Sequence, residues 1–394
     1  MTPFDGRSGV RVSYPPAGGT EGIMTPPTQR YLVRPEHLPA RAAFPAVDAH
    51  NHLWGRFNAD EIVRVMDAVG VVSYCDLTAN ARIEWAQGGY SLEAADLREF
   101  FTRCADAHPG RFYAFTLATF ARPATEPLFT DAGAFVAETV ETLREHVRLG
   151  ARGLKVLKEL GLHFRDGGGK LIAVDDDRLA PIWEEAGRLG AAVLIHQSDP
   201  VGYFEPVTPD NEHYETMRKF PSWSFADPKF PRKASLLRRR DHLLRAHPGT
   251  VFILPHVANY AEDLTYVGEL LEANPNVVID FSARIDELGR QPYSAREFFL
   301  RWQDRILFGA DMPADTADSE RMYRTYFRFL ETFDEGFYMP DYDGTFQRRR
   351  WPICGIGLPP QVLAKVYFRN ALRIIPRLRE DLAGAIDPGL LEGT

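Results

Sequence analysis

From residue 44 onward, short runs of aliphatic and β-branched residues alternate with longer stretches whose apolar positions recur every three or four residues. The first pattern buries a short strand on both faces; the second places one apolar stripe along a helix. The strands predicted are Phe44–His50, Val71–Leu77, Arg111–Leu117, Gly153–Leu157, Ala191–His196, Thr250–His256, Asn276–Phe281 and Arg305–Ala310. The helices after them are Asp60–Val69, Ser91–His108, Ala132–Leu149, Asp177–Leu189, one near Ala234–Ala246, Ala261–Ala273, Ser294–Gln303 and Glu320–Thr332. Eight strand–helix units in succession predict an α/β chain closed as a (β/α)8 TIM barrel rather than an open doubly wound sheet. No G-x-G-x-x-G follows the first strand, which argues against a dinucleotide fold. Gly167-Gly168-Gly169 lacks the Lys-Ser/Thr of a phosphate-binding loop.

The rhythm fails in four places. Residues 1–43 are rich in Pro, Gly, Thr and Arg, show no periodicity, and read as an extended or disordered N-terminal arm. Met24 offers a second start, so residues 1–23 need not belong to the native chain. Two aromatic and proline-rich insertions, residues 198–233 after the fifth strand and 333–358 after the eighth helix, read as lids or interface arms. A helix at Pro360–Ile375 closes the barrel, which spans 44–376, and 377–394 reads as a C-terminal tail.

Composition narrows the class. With 45% hydrophobic, 12% aromatic and 25% charged residues, the chain can build a large core and is not disordered, collagenous or a coiled coil. The balance of 46 Lys+Arg to 54 Asp+Glu, net −8, disfavours nucleic acid and anionic membranes as partners. The runs Arg238-Arg239-Arg240 and Arg348-Arg349-Arg350 read as solvated helix or loop faces. Cys75, Cys104 and Cys354 are odd in number and far apart, which excludes a disulfide framework or a C-x-x-C site. Cys75 reads as a small buried residue of the second strand. No basic segment leads into an apolar one as in a secretory signal. No apolar run reaches the roughly 18 residues of a membrane span. A cytoplasmic location is the expectation.

Residues with chemistry cluster where a barrel would gather them. The first strand ends in Asp48-Ala49-His50-Asn51-His52. Side chains two apart on a strand share a side, so His50 and His52 offer two imidazoles to one point, a donor pair suited to Zn2+ and related ions. His196 ends the fifth strand (VLIHQSD), His256 the sixth (FILPHV), and Asp311 follows the eighth (ILFGADM). Each is a polar residue closing an apolar run, and all such strand ends face one mouth of a barrel. A lone strand-end histidine is commonly structural; the set on strands 1, 5, 6 and 8 predicts a metal site.

That ordered set resembles the amidohydrolase superfamily of metal-dependent barrels, in particular its amidohydrolase-related (amidohydrolase 2) branch of hydrolases, lactonases and decarboxylases. Val366-Tyr367-Phe368-Arg369-Asn370-Ala371-Leu372-Arg373 is similar to the closing helix of that branch, and the resemblance covers residues 44–376. It implies that His50 and His52 bind the metal, with His196 as a third protein ligand and Asp311 as the fourth or the proton acceptor. His256 is then a ligand or a general acid/base. Asp48 is implied as a partner orienting an imidazole from behind, the alternative being a carboxylate ligand. Lys155, at the end of the fourth strand, is the open point. Binuclear members carbamylate a lysine there to bridge two ions; the preferred reading has one ion, with Lys155 binding a substrate carboxylate or oxyanion. A third reading pairs it with Glu159 or Asp48 on the barrel wall. The cofactor expected is one divalent ion, Zn2+ with Mn2+ as the alternative.

The implied activity is metal-dependent hydrolysis of an ester, lactone or amide in a small carboxylated or cyclic substrate. The alternative on the same scaffold is non-oxidative decarboxylation of a small aromatic or unsaturated acid, and more remotely a catalytically silent binding barrel. Arg284 after the seventh strand, and Arg82 in a polar loop after the second, could each grip a carboxylate or pair locally. Tyr203, Phe204, Trp223 and Phe225 of the first insertion suit a lid over the substrate or a subunit interface. His213 reads as a plain loop histidine, and His37, His108, His146, His163, His242 and His247 receive no role. The partner expected is a small molecule, neither nucleic acid nor membrane; assembly as a homo-oligomer is left open.

Overall fold

A computed structural model describes residues 37–53, 55, 57–86, 89–312, 318–340 and 350–391. Among the described residues ten strands are defined: β1 (Ala46–Asn51), β2 (Val71–Asp76), β3 (Ala81–Ala86), β4 (Gly89–Ala94), β5 (Phe112–Thr116), β6 (Gly153–Val156), β7 (Ala192–Ile195), β8 (Phe252–Leu254), β9 (Val277–Asp280) and β10 (Ile306–Leu307). Eight of them form one sheet in the order β1-β2-β5-β6-β7-β8-β9-β10, with neighbouring strands parallel. The first and last strands meet where the Phe308 carbonyl accepts from Ala49 N (2.9 Å) and the His50 carbonyl from Asp311 N (2.7 Å). This is the (β/α)8 barrel expected. β5, β6 and β7 are buried throughout, as parallel strands covered on both faces must be.

Local chemistry explains the helices. The Ala59–Val69 helix starts where the Asn58 side chain accepts from Asp60 N and Glu61 N. It ends at Gly70, whose φ of 83° closes it in the left-handed form. It turns Ile62, Val65, Met66 and Val69 onto the barrel.

Two expectations are corrected. The helix predicted at Ser91–His108 begins only at Leu97, capped by the Asp96 carboxylate. Before it, β3 and β4 form an antiparallel hairpin, because residues 81–94 alternate with period two and bury Ile83 opposite Leu92. Arg82 is exposed on this hairpin and bound to Glu99 (2.9 Å), the local pairing among the readings offered for it. Arg240, read as part of a solvated run, is fully buried.

The expected arm falls largely on residues 1–36, outside the described residues. Residues 37–43 are tied to the barrel through His37–Asp334 (2.6 Å), Ala42 N to Val69 O and Ala43 N to Glu331 Oε1. The segment after 376 packs on the body: Leu378, Leu382 and Ile386 are buried, and Asp381 pairs with Arg152. In the second insertion 341–349 lie outside the described residues, while Phe337 and Ile353 form an antiparallel bridge. The first insertion has its own small core of Tyr203, Met217 and Phe225 against Leu162 and Leu236.

Candidate metal centre

His50 and His52 both leave β1 toward the strand ends. The Nδ1 of His50 lies 2.8 Å from Asp280 Oδ2 at the end of β9. A carboxylate can only accept, so the proton sits on Nδ1 and the lone pair on Nε2. His52 is fixed through a relay: its Nδ1 lies 3.1 Å from Thr78 Oγ1, whose hydroxyl donates to Asp76 Oδ1 (3.1 Å). The threonine oxygen must then accept, and His52 likewise presents Nε2. Gly309 makes the first arrangement possible, since a Cβ there would stand 2.8 Å from His50 Cβ.

Asp311 completes the group. Its Oδ1 lies 3.9 Å from His50 Nε2 and 3.8 Å from His52 Nε2; its Oδ2 lies 3.8 Å from His256 Nε2. The donor atoms of His50, His52 and Asp311 all fall within 4.8 Å of one another. His256 donates from Nδ1 to the Ser282 carbonyl (2.8 Å), which again leaves the lone pair on Nε2. The Nε2 atoms of His50 and His256 are buried with no hydrogen-bond partner. Buried acceptors of that kind are uncommon without a reason, and an ion or a reacting group would satisfy them. Imidazoles held from behind by carboxylates or carbonyls, beside one carboxylate, fit a divalent metal.

Burial holds His50, His52 and His256 well below the ordinary imidazole value; the Lys155 charge pushes the first two further down. Burial likewise brings His196 to about 4. All four rings are neutral at pH 7, as metal coordination requires. His196 is oriented differently. Its Nε2 donates to the Ser198 carbonyl (3.1 Å) and stands 3.5 Å from Asp199 Oδ1, so the free lone pair is on Nδ1. The ring sits 4.5 Å from that of His256, outside the group formed by His50, His52 and Asp311.

Asp48 does not orient a ring. Its carboxylate accepts from His50 N (3.3 Å), Ala310 N (3.1 Å) and Tyr323 OH (2.7 Å), stapling β1 to the chain after β10. Burial lifts it to about 7. The orienting carboxylate is Asp280, which also accepts from His256 N (3.2 Å) and Ser282 Oγ (2.6 Å). Lys155 is fully buried, its Nζ has no hydrogen-bond partner, and burial lowers it to about 8. The wall pairings are not formed: Lys155 Nζ bonds neither Glu159, which accepts from Tyr90 OH (2.6 Å), nor Asp48. Arg284 is buried near the same histidines, with Asp199 Oδ1 at 3.8 Å.

Trp223 and Phe225 of the first insertion wall a cavity of about 450 Å³ together with Tyr90, Phe120 and Phe164. Lys158 lies on that cavity and bonds Asp199 (2.6 Å); His163, given no role from sequence, lines it too. Tyr203 instead stacks on the buried His213, 4.8 Å between centroids.

The backbone here is strained. Of the eight non-glycine residues with positive φ among the described residues, His256, Val257, Ala258, Asn259, Ala283 and Asp311 belong to the loops after β8, β9 and β10. Such residues cost on the order of 1–3 kcal/mol each and cluster at functional sites.

Sequence reasoning missed Asp76, Thr78, Asp280, Ser282, Asp199 and Lys158. Asp76 and Asp280 each close an apolar strand, so the criterion that selects His196 finds both when applied to β2 and β9. Asp199 and Lys158 lie past strands that end at Ile195 and Val156, so parity extended along the strand misplaces them.

An amidohydrolase family model matches residues 47–377. No curated protein matches the chain. Among solved structures, 2,6-dihydroxybenzoate decarboxylase from Rhizobium is similar at 16% identity and TM-score 0.49, over 86% of this chain and 99% of that one. An uncharacterised TIM-barrel protein from Bordetella bronchiseptica is similar at 14% identity and TM-score 0.48, over 84% and 97%. A dihydroxybenzoic acid decarboxylase from Polaromonas sp. JS666, with bound manganese and an inhibitor, is similar at 16% identity and TM-score 0.47, over 82% and 87%.

Proposed function

The chain belongs to the amidohydrolase family, and from that premise we propose that it is a metal-dependent hydrolase of a small ester, lactone or amide. The observation that carries the reading is the placement of Asp311, one oxygen facing the His50 and His52 nitrogens and the other facing His256. One divalent ion, zinc or manganese, would be held by His50, His52 and Asp311, with His196 as a further ligand through Nδ1. Bound there, it would supply Lewis acidity and lower the pKa of water from 15.7 toward about 7.

The protein groups then divide the work. Asp311 accepts the proton lost by the attacking water, and His256, 3.8 Å away, relays it. The oxygen of that water forms the new bond to the carbonyl carbon; the carbon–oxygen or carbon–nitrogen bond to the leaving group breaks. The leaving group takes the proton from His256. Lys155 and Arg284, both buried cations, face the oxyanion or a substrate carboxylate.

The same two cations favour a second reading, decarboxylation of a small acid whose carboxylate they would grip. A single experiment separates the two. The full chain is stripped with chelator, reloaded with Zn2+ or Mn2+, and assayed on lactones, esters, amides and hydroxybenzoic acids, with ions per chain counted. Hydrolysis restored by one ion, and lost in Asp311→Asn, supports the first reading. Carbon dioxide release from the acids without hydrolysis replaces it with the second. Two ions per chain with a mass increment on Lys155 overturn the one-ion assignment, and a loaded chain inert on the whole panel supports the silent barrel.

A further inference from the structure

His256 is presented to the metal centre by backbone that other residues must hold in place. His256, Val257, Ala258 and Asn259 have φ of 59°, 55°, 53° and 58°, one left-handed turn with no glycine in it. For L-residues this form is disfavoured because Cβ crowds the following carbonyl; Asn259 and, less so, His256 are of types that enter it, whereas Val257 and Ala258 are not. A run of this kind persists only when its surroundings over-determine it.

The surroundings are two buried cations on one helix, Lys233–Ala246. The Arg240 guanidinium donates to the Ala258 carbonyl through Nη1, and to Asp241 and Tyr266 OH through Nε and Nη2. The Lys233 ammonium donates to the Asn259 carbonyl (2.5 Å), the Asp199 carbonyl (2.5 Å) and Ser198 Oγ (3.4 Å). The two cations lie seven positions apart, which places them on one helix face. Arg240 is wholly buried and Lys233 nearly so. The hydrogen bonds of Lys233 go to neutral oxygens; burial lowers it to about 8, against the more distant charges of Glu262 and Asp199. A buried ammonium satisfied only by neutral oxygens is a poor device for stability. What it does accomplish is geometric: it ties the loop after β7, which follows His196, to the turn after β8, which begins with His256.

We propose that Lys233 and Arg240 are positioning residues that hold the left-handed turn 256–259, and through it aim His256 at Asp311. The proposal rests on the role given to His256 above, so its test includes a readout that needs no substrate. The variants are Arg240→Met and Lys233→Met, each alone and combined with Ala258→Gly. Glycine adopts positive φ freely, so it should relieve the need for the clamp.

Histidine ring resonances are followed in the 15N-labelled full chain loaded with Zn2+, His256→Asn identifying its own pair. The expected result is a shift or broadening of the His256 pair in Arg240→Met, with His50 and His52 unmoved and metal content unchanged. Adding Ala258→Gly should return the pair toward its parent position. On any substrate turned over by the parent, Arg240→Met should lose roughly tenfold in kcat at constant KM. The Arg240→Met/Ala258→Gly chain should recover within about threefold of the parent, and Arg240→Lys, which keeps a donor, should fall between. An unmoved His256 pair in Arg240→Met, or no recovery with glycine, overturns the proposal whether or not a substrate is known.

If Arg240→Met does not fold, Ala258→Gly in the parent decides. It should lower Tm less than Ala186→Gly, an equally buried alanine on the ordinary helix Ala180–Arg188. An equal or larger loss would show that the turn carries no strain for glycine to relieve.

Discussion

The two sides of the metal centre are built by different means. On the β1 side, His50 leaves an extended strand, His52 follows it, and both are aimed by side-chain acceptors, Asp280 directly and Asp76 through Thr78. On the β8 side, His256 leaves a left-handed turn, and its backbone is secured by cations reaching in from a helix behind the barrel. Where the strand itself points two side chains at one place, ordinary dihedral angles suffice and tuning falls to hydrogen bonds. Where the strand stops short, the direction must come from a strained turn, and strain needs an outside brace.

The sharpest way to break this comparison is to remove the β1 pair or its carboxylate. His50→Ala or Asp311→Asn should reduce turnover on the order of 10³-fold or more. The circular dichroism spectrum should be retained, because the backbone bonds joining β1 to the chain after β10 do not use these side chains. Activity surviving either change would move the metal elsewhere. Next in size is Asp280→Asn. It keeps the shape but loses the carboxylate behind His50, and metal affinity measured by chelator competition should fall about 10- to 100-fold. An unchanged affinity would mean that His50 does not need its acceptor. Arg284→Ala should raise KM for carboxylated substrates more than it lowers kcat, and leave uncharged esters unaffected; a uniform effect on both would assign Arg284 to structure.

The smallest effect is on stability against pH in the metal-free chain. His50, His52, His196 and His256 are neutral in the fold but take protons near pH 6.5 once unfolded. Their contribution is complete above 6.5 and is lost as the pH falls toward the folded values, about 4 for His196. Asp48 and Asp76 act the other way. Burial raises them from 3.8 to about 7 and about 6, so their contribution is complete below 3.8 and lost as the pH rises. Each group contributes about 1.4 kcal/mol per pH unit while engaged. Between pH 5 and 6 these four histidines, joined by His146, His163 and His247, which burial lowers in the same sense, oppose Asp48, Asp76 and Glu331, so Tm should drop on acidification across that interval. A level or rising Tm would show that the rings are protonated in the fold.

Much of the β1 side is legible in the amino-acid sequence. Period-two spacing puts His50 and His52 on one side of a strand, and apolar runs ending in a polar residue locate His196, His256 and Asp311. The barrel follows from the alternation of elements. The hairpin at 81–94 is hidden because Ser91–His108 also carries helical spacing, and cross-strand burial of Ile83 and Leu92 prevails. The β8 side is far less legible. Val257 and Ala258 are residue types that give no warning of positive φ. Arg240 hides inside a run of three arginines, where only tertiary packing separates a buried member from its solvated neighbours. Lys158 and Asp199 meet across loops whose path no periodicity encodes.

Asp280 serves both sides at once. One oxygen receives the His50 ring; the other receives the His256 backbone amide and the Ser282 hydroxyl, which itself lies 3.1 Å from the Nδ1 atoms of both histidines. The two rings therefore share a single fulcrum. Under the proposed mechanism, any exchange at position 280 that adjusts grip on the ion would also displace the proton carrier, so affinity for metal and rate of proton movement would change together and could not be optimised one at a time from that position.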